Sequence, residues 1–181
     1  MASVCVFCGS SVGNDPSFAD AAKELGRLLA KFQCTLVYGG GKVGLMGVIA
    51  DEVIANSGNV IGVIPHFLYQ REVGHDGLSK LEIVETMHER KKRMADLTDY
   101  FIAMPGGWGT MDELAEILTW RQLGLLNSPI GLLNTQSFFD PLLQQLDQMT
   151  AKGFVNVANS KTLVVAKEPL KLLTMMGVVA V

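Results

Sequence analysis

Short apolar runs that each stop at a glycine or proline turn and give way to a helical stretch limit this chain more than any other feature. Residues 4–7 stop before Gly9-Ser10-Ser11, residues 35–38 at Gly39-Gly40-Gly41, residues 60–64 at Pro65, and residues 100–104 at Pro105-Gly106-Gly107. A strand that is apolar throughout has to be covered on both faces, which is the condition of a parallel sheet flanked by helices. The intervening stretches supply those helices. Asp15-Pro16 offers an N-cap and a first helical residue, and Phe18, Ala22, Leu25 and Leu29 follow at helical spacing.

The spacing predicts helices over residues 16–31, 44–55, 87–97, 110–123 and 138–150, and a terminal helix from Glu168. Further strands are expected near 82–84, at 130–134 and at 163–165. The fold class is therefore α/β, a Rossmann-like parallel sheet with helices on both faces, expected as a single domain over residues 1–181. The polar segment from His66 to Lys80 is long for a connection in such a unit and is read as a lid or a binding loop. Ligands of these sheets sit beyond the carboxyl ends of the strands, where the glycine turns fall.

Fifteen Lys plus Arg against eighteen Asp plus Glu give a formal charge of −3, so no global field draws the chain to nucleic acid or to an anionic membrane. No run of residues is apolar enough for a membrane span, and the N-terminus lacks a basic region ahead of its apolar stretch. A cytoplasmic protein is expected. Cys5, Cys8 and Cys34 are an odd set, expected to be reduced. Cys5 and Cys8 lie in a strand, where residues three apart point to opposite faces, and His66, His75 and His88 have no metal-ligand spacing. Neither a metal nor a cofactor is expected.

Four features bear on chemistry. The loop P-G-G-W-G-T, residues 105–110, precedes a helix and is either a tight turn or an anion cradle, in which glycines admit the ligand and helical N–H groups face it. Gly39-Gly40-Gly41-Lys42 poses the same alternatives and matches neither dinucleotide nor Walker spacing. Arg90 stands on the apolar stripe with Met87, Met94 and Leu97, so it must snorkel, pair with a carboxylate or a carbonyl, or meet an anionic ligand. Lys91, Lys92 and Arg93 are expected on a solvated face. Glu113 falls on the apolar side of its helix with Leu114 and Ile117, while Asp112 and Glu116 turn outward. Thr110-x-x-Glu113 also has the form of a capping box, which competes with a catalytic role.

Met87-His88-Glu89-Arg90-Lys91 followed by P-G-G-W-G-T-M-D-E resembles the paired signature of the Lonely Guy family, the cytokinin riboside 5′-monophosphate phosphoribohydrolases once labelled lysine decarboxylases. The likeness extends to C-V-F-C-G-S-S, Y-G-G-G, T-W-R-Q-L-G and P-I-G-L-L-N. It implies hydrolysis of the N-glycosidic bond of a nucleoside 5′-monophosphate, with Arg90 and Glu113 as the essential pair. It further implies that Glu72, Lys91, Gly40, Gly41 and the run Gly107, Trp108, Gly109, Thr110, Met111 and Asp112 hold the substrate, and that the chain forms a homodimer. Asp112 replaces the usual Glu, and Leu125-Leu126-Asn127-Ser128 lacks the His and basic residue often found there. A carrier of nucleotide or molybdenum cofactor, the competing class, would need the phosphate loop but not Glu113. Amino-acid decarboxylation would call for a Schiff-base lysine in a pyridoxal site, for which the sequence offers no context.

Overall fold

Asp15 begins the first helix as its spelling suggests: its carboxylate accepts the Ser17 N–H at 2.9 Å, and Pro16 takes the first helical position. The computed structural model describes residues 2–69 and 74–180. Its strands are β1 (Ser3–Phe7), β2 (Thr35–Tyr38), β3 (Val60–Pro65), β4 (Lys80–Val84), β5 (Tyr100–Ala103), β6 (Ile130–Leu133) and β7 (Leu163–Ala166). The helices are α1 (Pro16–Lys31), α2 (Gly44–Ala55), α3 (His66–Tyr69), α4 (Met87–Asp96), α5 (Trp108–Gln122), α6 (Asp140–Ala151), α7 (Val157–Ser160) and α8 (Pro169–Met175).

All seven strands pair in parallel, in the order β4-β3-β2-β1-β5-β6-β7. Cys5 of β1 stands beside Val37 on one side and Phe101 on the other. Strand order therefore runs outward from β1 in both directions, and the reversal falls between β1 and β5. At such a point the connecting segments leave to opposite faces, so a crevice opens at the strands' carboxyl ends.

Alternation along β1 divides the core in two. Val4, Val6 and Cys8 join Leu25, Leu29, Ile49, Val53 and Leu172 on the face covered by α1, α2 and α8. Cys5 and Phe7 join Met94, Leu114 and Ile117 on the face of α4 and α5. The C-V-F-C pair thus lies on opposite sides of the sheet, as its strand spacing requires. Cys5, Cys8 and Cys34 are free and buried.

Differences from the sequence expectation have local causes. β4 starts at Lys80, two residues earlier than the apolar signal, because an edge strand can leave Lys80 and Ile83 exposed. α6 starts at Asp140, because residues 135–137 form a 3₁₀ turn in which Gln136 and Ser137 adopt left-handed φ of 53° and 58°. The four-residue α7 is too short to leave a periodic signal. Among the described residues, no helix is long and apolar enough to cross a membrane.

Candidate active site

Two backbones meet at the reversal point. The Gly9 N–H donates to the Pro105 carbonyl at 3.1 Å, and a Cβ on Gly106 would lie 2.8 Å from Gly9 N and 2.1 Å from Thr110 Oγ1. From the opposite side, the Leu45 N–H at the start of α2 donates to the Gly9 carbonyl at 3.0 Å. Gly44 there has a φ of 63°, and a side chain on it would meet the Ser10 backbone at 2.2 Å. The N-terminal ends of α2 and α5 therefore both abut the turn 9–11. A cleft of about 220 Å³ lies here, lined by Gly9, Ser10, Ser11, Gly106 and Gly107, with Phe18, Leu45 and Phe138 as its apolar wall.

The helix after the phosphate-type loop starts earlier than its spelling suggests. α5 begins at Trp108 with Gly107 as N-cap and no side-chain cap bond, so Thr110 is already the third helical residue. Thr110 and Glu113 consequently form no capping box, because a cap residue must precede the helix whose N–H groups it receives. Thr110 is buried instead beneath Gly106. The first N–H groups of α5 have no acceptor within the helix, and Gly107 and Gly109 open onto free space. A helix start without a side-chain cap, reached through two unobstructed glycines, suits an anion.

Arg90 is 5% exposed. Its Nε donates to the Val63 carbonyl at 3.1 Å and its Nη2 to the Gly39 carbonyl at 2.9 Å, while Nη1 lies 3.9 Å from Met87 Sδ. Of the readings open to an inward arginine, snorkelling is overturned, since the head group is held at the carboxyl ends of β2 and β3. These two carbonyls orient the guanidinium at the edge of the sheet where ligands bind. Gly39 permits this, because a Cβ there would stand 2.0 Å from Nη2.

Glu113 is half-buried on the neighbouring helix. Burial chiefly raises the Cys5 thiol well above its usual range; the Glu113 charge adds to the rise and the Arg90 charge opposes it. Cys8 is raised as well, by burial and then by Glu113. Both charges of the expected pair therefore act on one buried thiol.

The turn 39–41 is clamped between Arg90 and the segment after residue 73. The His75 N–H donates to the Gly40 carbonyl at 3.1 Å, and Gly41 bridges Gly74 antiparallel. Buried His75 places Nε2 2.9 Å from Asp51 Oδ1 and accepts the Gly77 N–H on Nδ1 at 3.1 Å. Glu72, expected to contribute from this connection, lies outside the described residues.

The remaining expected ligand residues divide. Gly107, Trp108 and Gly109 stand at the rim, with Trp108 92% exposed, and Gly40 and Gly41 lie beside Arg90's anchor. Met111 faces away, into a groove between α5 and α6. Nor is the run Lys91, Lys92 and Arg93 a uniform solvated face. Lys91 bonds Asp112 and Glu116 at 3.1 and 3.2 Å, Lys92 pairs with Asp96, and Arg93 grips Glu82 with contacts of 2.6 and 2.9 Å. Ser10 and Ser11 spell only a turn in the sequence, and His75 carries no motif. The capping box in this region is Thr86 with Glu89, visible as Thr-x-x-Glu.

Among the described residues, no group of three or more His, Cys, Asp or Glu is placed to hold a metal ion. A family model described as possible lysine decarboxylase matches residues 46–176. The chain is 50% identical over 152 residues to a probable cytokinin riboside 5′-monophosphate phosphoribohydrolase of Oryza sativa subsp. japonica, covering 84% of this chain and 68% of that one. It is 47% identical to a cytokinin riboside 5′-monophosphate phosphoribohydrolase of Arabidopsis thaliana, covering 84% and 72%. Among solved structures, the Moco carrier protein from Chlamydomonas reinhardtii superposes with a TM-score of 0.71 at 19% identity, covering 98% of each chain. A molybdenum cofactor binding protein from Rippkaea orientalis gives 0.68 at 21%, covering 98% and 94%. At that identity the likeness establishes the fold alone. The family match and the close relatives settle descent: the chain belongs to the Lonely Guy family, the group of phosphoribohydrolases whose family model still carries the lysine decarboxylase description.

Proposed function

We propose that this protein is a cytoplasmic hydrolase, one nucleotide-binding domain over residues 1–181, that cleaves the N-glycosidic bond of adenine-type nucleoside 5′-monophosphates, cytokinin riboside monophosphates included. The products are the free base and ribose 5-phosphate. Close relatives carry this activity in their names. The observation that carries the reading here is Arg90, a buried guanidinium oriented by two strand-end carbonyls beside the helix of Glu113.

Loss of the base leaves an oxocarbenium-like sugar, which needs a nearby negative charge and a water at the anomeric carbon. Glu113 supplies the charge and takes the proton of that water as its oxygen bonds to the carbon. The electron pair of the broken bond leaves with the base, which takes a proton from solvent, and Glu113 returns the water's proton to solvent. Gly107, Trp108, Gly109 and Thr110, with Ser10 and Ser11 opposite, hold the 5′-phosphate at the start of α5. Arg90 braces the sugar phosphate against Glu113, and Gly40 and Gly41 flank it. Glu72 completes the substrate set; Met111 turns instead to the groove between α5 and α6, and Lys91 and Asp112 are bonded to each other.

Chromatography of AMP and of isopentenyl-adenosine monophosphate, each incubated with wild type and with Glu113→Ala, tests the reading. Wild type is expected to release base, and the variant to be slower by roughly 10²- to 10⁴-fold. Adenosine is expected to react poorly through kcat as well as KM, because binding of the remote phosphate orients the reacting centre. Equal turnover of adenosine and AMP, or full activity of the variant, would refute it.

A further inference from the structure

The residues next to the proposed catalytic pair are bonded to each other across two helices. Lys91 follows Arg90 on α4, and Asp112 precedes Glu113 on α5. Asp112 and Glu116, four apart, share one face of α5. The Lys91 ammonium lies between them, 3.1 Å from Asp112 Oδ2 and 3.2 Å from Glu116 Oε2. Its side chain is 16% exposed, against 63% for Lys92 one position along. α4 rests chiefly on β3 and β4, whereas α5 rests on β1. The two helices are thus carried by different strands, and the Lys91 bonds tie one to the other.

We propose that Lys91 is a positioning residue, whose ammonium joins Asp112 and Glu116 to fix the helix of Arg90 against the helix of Glu113. The inference rests on reading Arg90 and Glu113 as the catalytic pair, and it gives Lys91 a different role from the substrate contact the resemblance implies. An ammonium already held by two carboxylates has little net attraction left for a phosphate. Burial opposes its charge, but the bonds to Asp112 and Glu116 outweigh burial and keep its pKa above the ordinary lysine value. The tie therefore persists across the neutral range.

The test is a mutant cycle on AMP hydrolysis: Lys91→Met, Asp112→Asn with Glu116→Gln, and all three together. Each arm is expected to lower kcat by about 10- to 100-fold with KM within about twofold, since misplacement of roughly an ångström has effects of that size. The triple variant is expected to be no worse than either arm, because both break the same bonds. Lys91→Arg, which keeps the charge and reach, is expected to recover most of kcat. Hydrogen exchange gives a reading independent of turnover: amides of α4 should exchange faster in Lys91→Met, with those of β1 and β5 unchanged. A rise in KM for AMP specific to Lys91→Met, additive with the carboxylate changes, would overturn the proposal in favour of a phosphate contact. So would unchanged exchange in α4. A wild type that releases no base from either nucleotide would instead remove the catalytic pair itself, whatever the exchange shows.

Discussion

At Gly39 the lack of a side chain decides where Arg90 can lie. An alanine there would put a methyl 2.0 Å from Nη2, but the clashing atom is the far end of a long side chain, which can move without unfolding the sheet. Gly39→Ala is therefore expected to keep a near-native melting temperature while kcat/KM on AMP falls by about 10- to 100-fold, a split that thermal melts beside steady-state kinetics would detect. An equal loss of stability and activity would show that the glycine serves the turn and not the arginine. The inward direction of Arg90 was legible in the sequence, because Met87 and Met94 lie three and four residues away on one helical stripe. Its acceptors were not, since they are backbone carbonyls 27 and 51 residues distant, and local spacing carries no information about which strand ends lie under a helix. Glu113 was legible to the same extent, as a carboxylate on the apolar side of α5.

Thr-x-x-Glu occurs at 86–89 and again at 110–113, and only the first is a capping box. The pattern alone cannot separate them, because a box requires the helix to start after the threonine, and α5 has already begun at Trp108. Thr86→Ala is expected to destabilise the protein by about 1 kcal/mol, measurable by urea unfolding, and to loosen the first turn of the helix that carries Arg90. The same helix is fastened to edge strand β4 by Arg93 and Glu82. The Arg93 bonds, helped by Lys80, pull the Glu82 carboxyl from 4.5 down to about 2. Glu82 is thus a stronger acid in the folded chain than in the unfolded one. Its stabilising contribution is complete above pH 4.5 and is lost as pH falls towards 2. Glu82→Gln should flatten the decline of stability across that window and leave the curve near pH 7 parallel to wild type. An unaltered acid limb would mean that the pair, with Arg93 40% exposed, is screened to insignificance.

The alternation of apolar strand, glycine turn and helix made a parallel sheet with two covered faces legible, yet not the order of its strands. That order depends on which non-consecutive strands pair, β1 with β5 above all, and parallel pairing leaves no mark on the residues between. The same limit applies to the outer surface. Residues of α6 follow a helical stripe at Leu142, Leu143, Leu146 and Met149, but none is fully buried. Leu142, Leu146 and Met149 of this stripe, with Met111, Leu118 and Val155, border an apolar groove of about 270 Å³ between α5 and α6. Beside it Phe154 is 81% exposed and Val157 54%. Apolar surface of this kind can serve an association. A second copy of the chain, as the resemblance implies, is the partner we propose for it. Phe154→Asp separates this from a merely greasy surface: in a monomer an exposed phenylalanine can be replaced at little cost, whereas at a dimer contact a buried, unpaired carboxylate opposes association. Light scattering coupled to size exclusion is expected to give about twice the 19.6 kDa chain mass for wild type and a shift towards the single-chain mass for the variant, with unchanged circular dichroism. A wild-type mass of one chain would sink the dimer, and a variant that stays dimeric would move the contact elsewhere on the molecule.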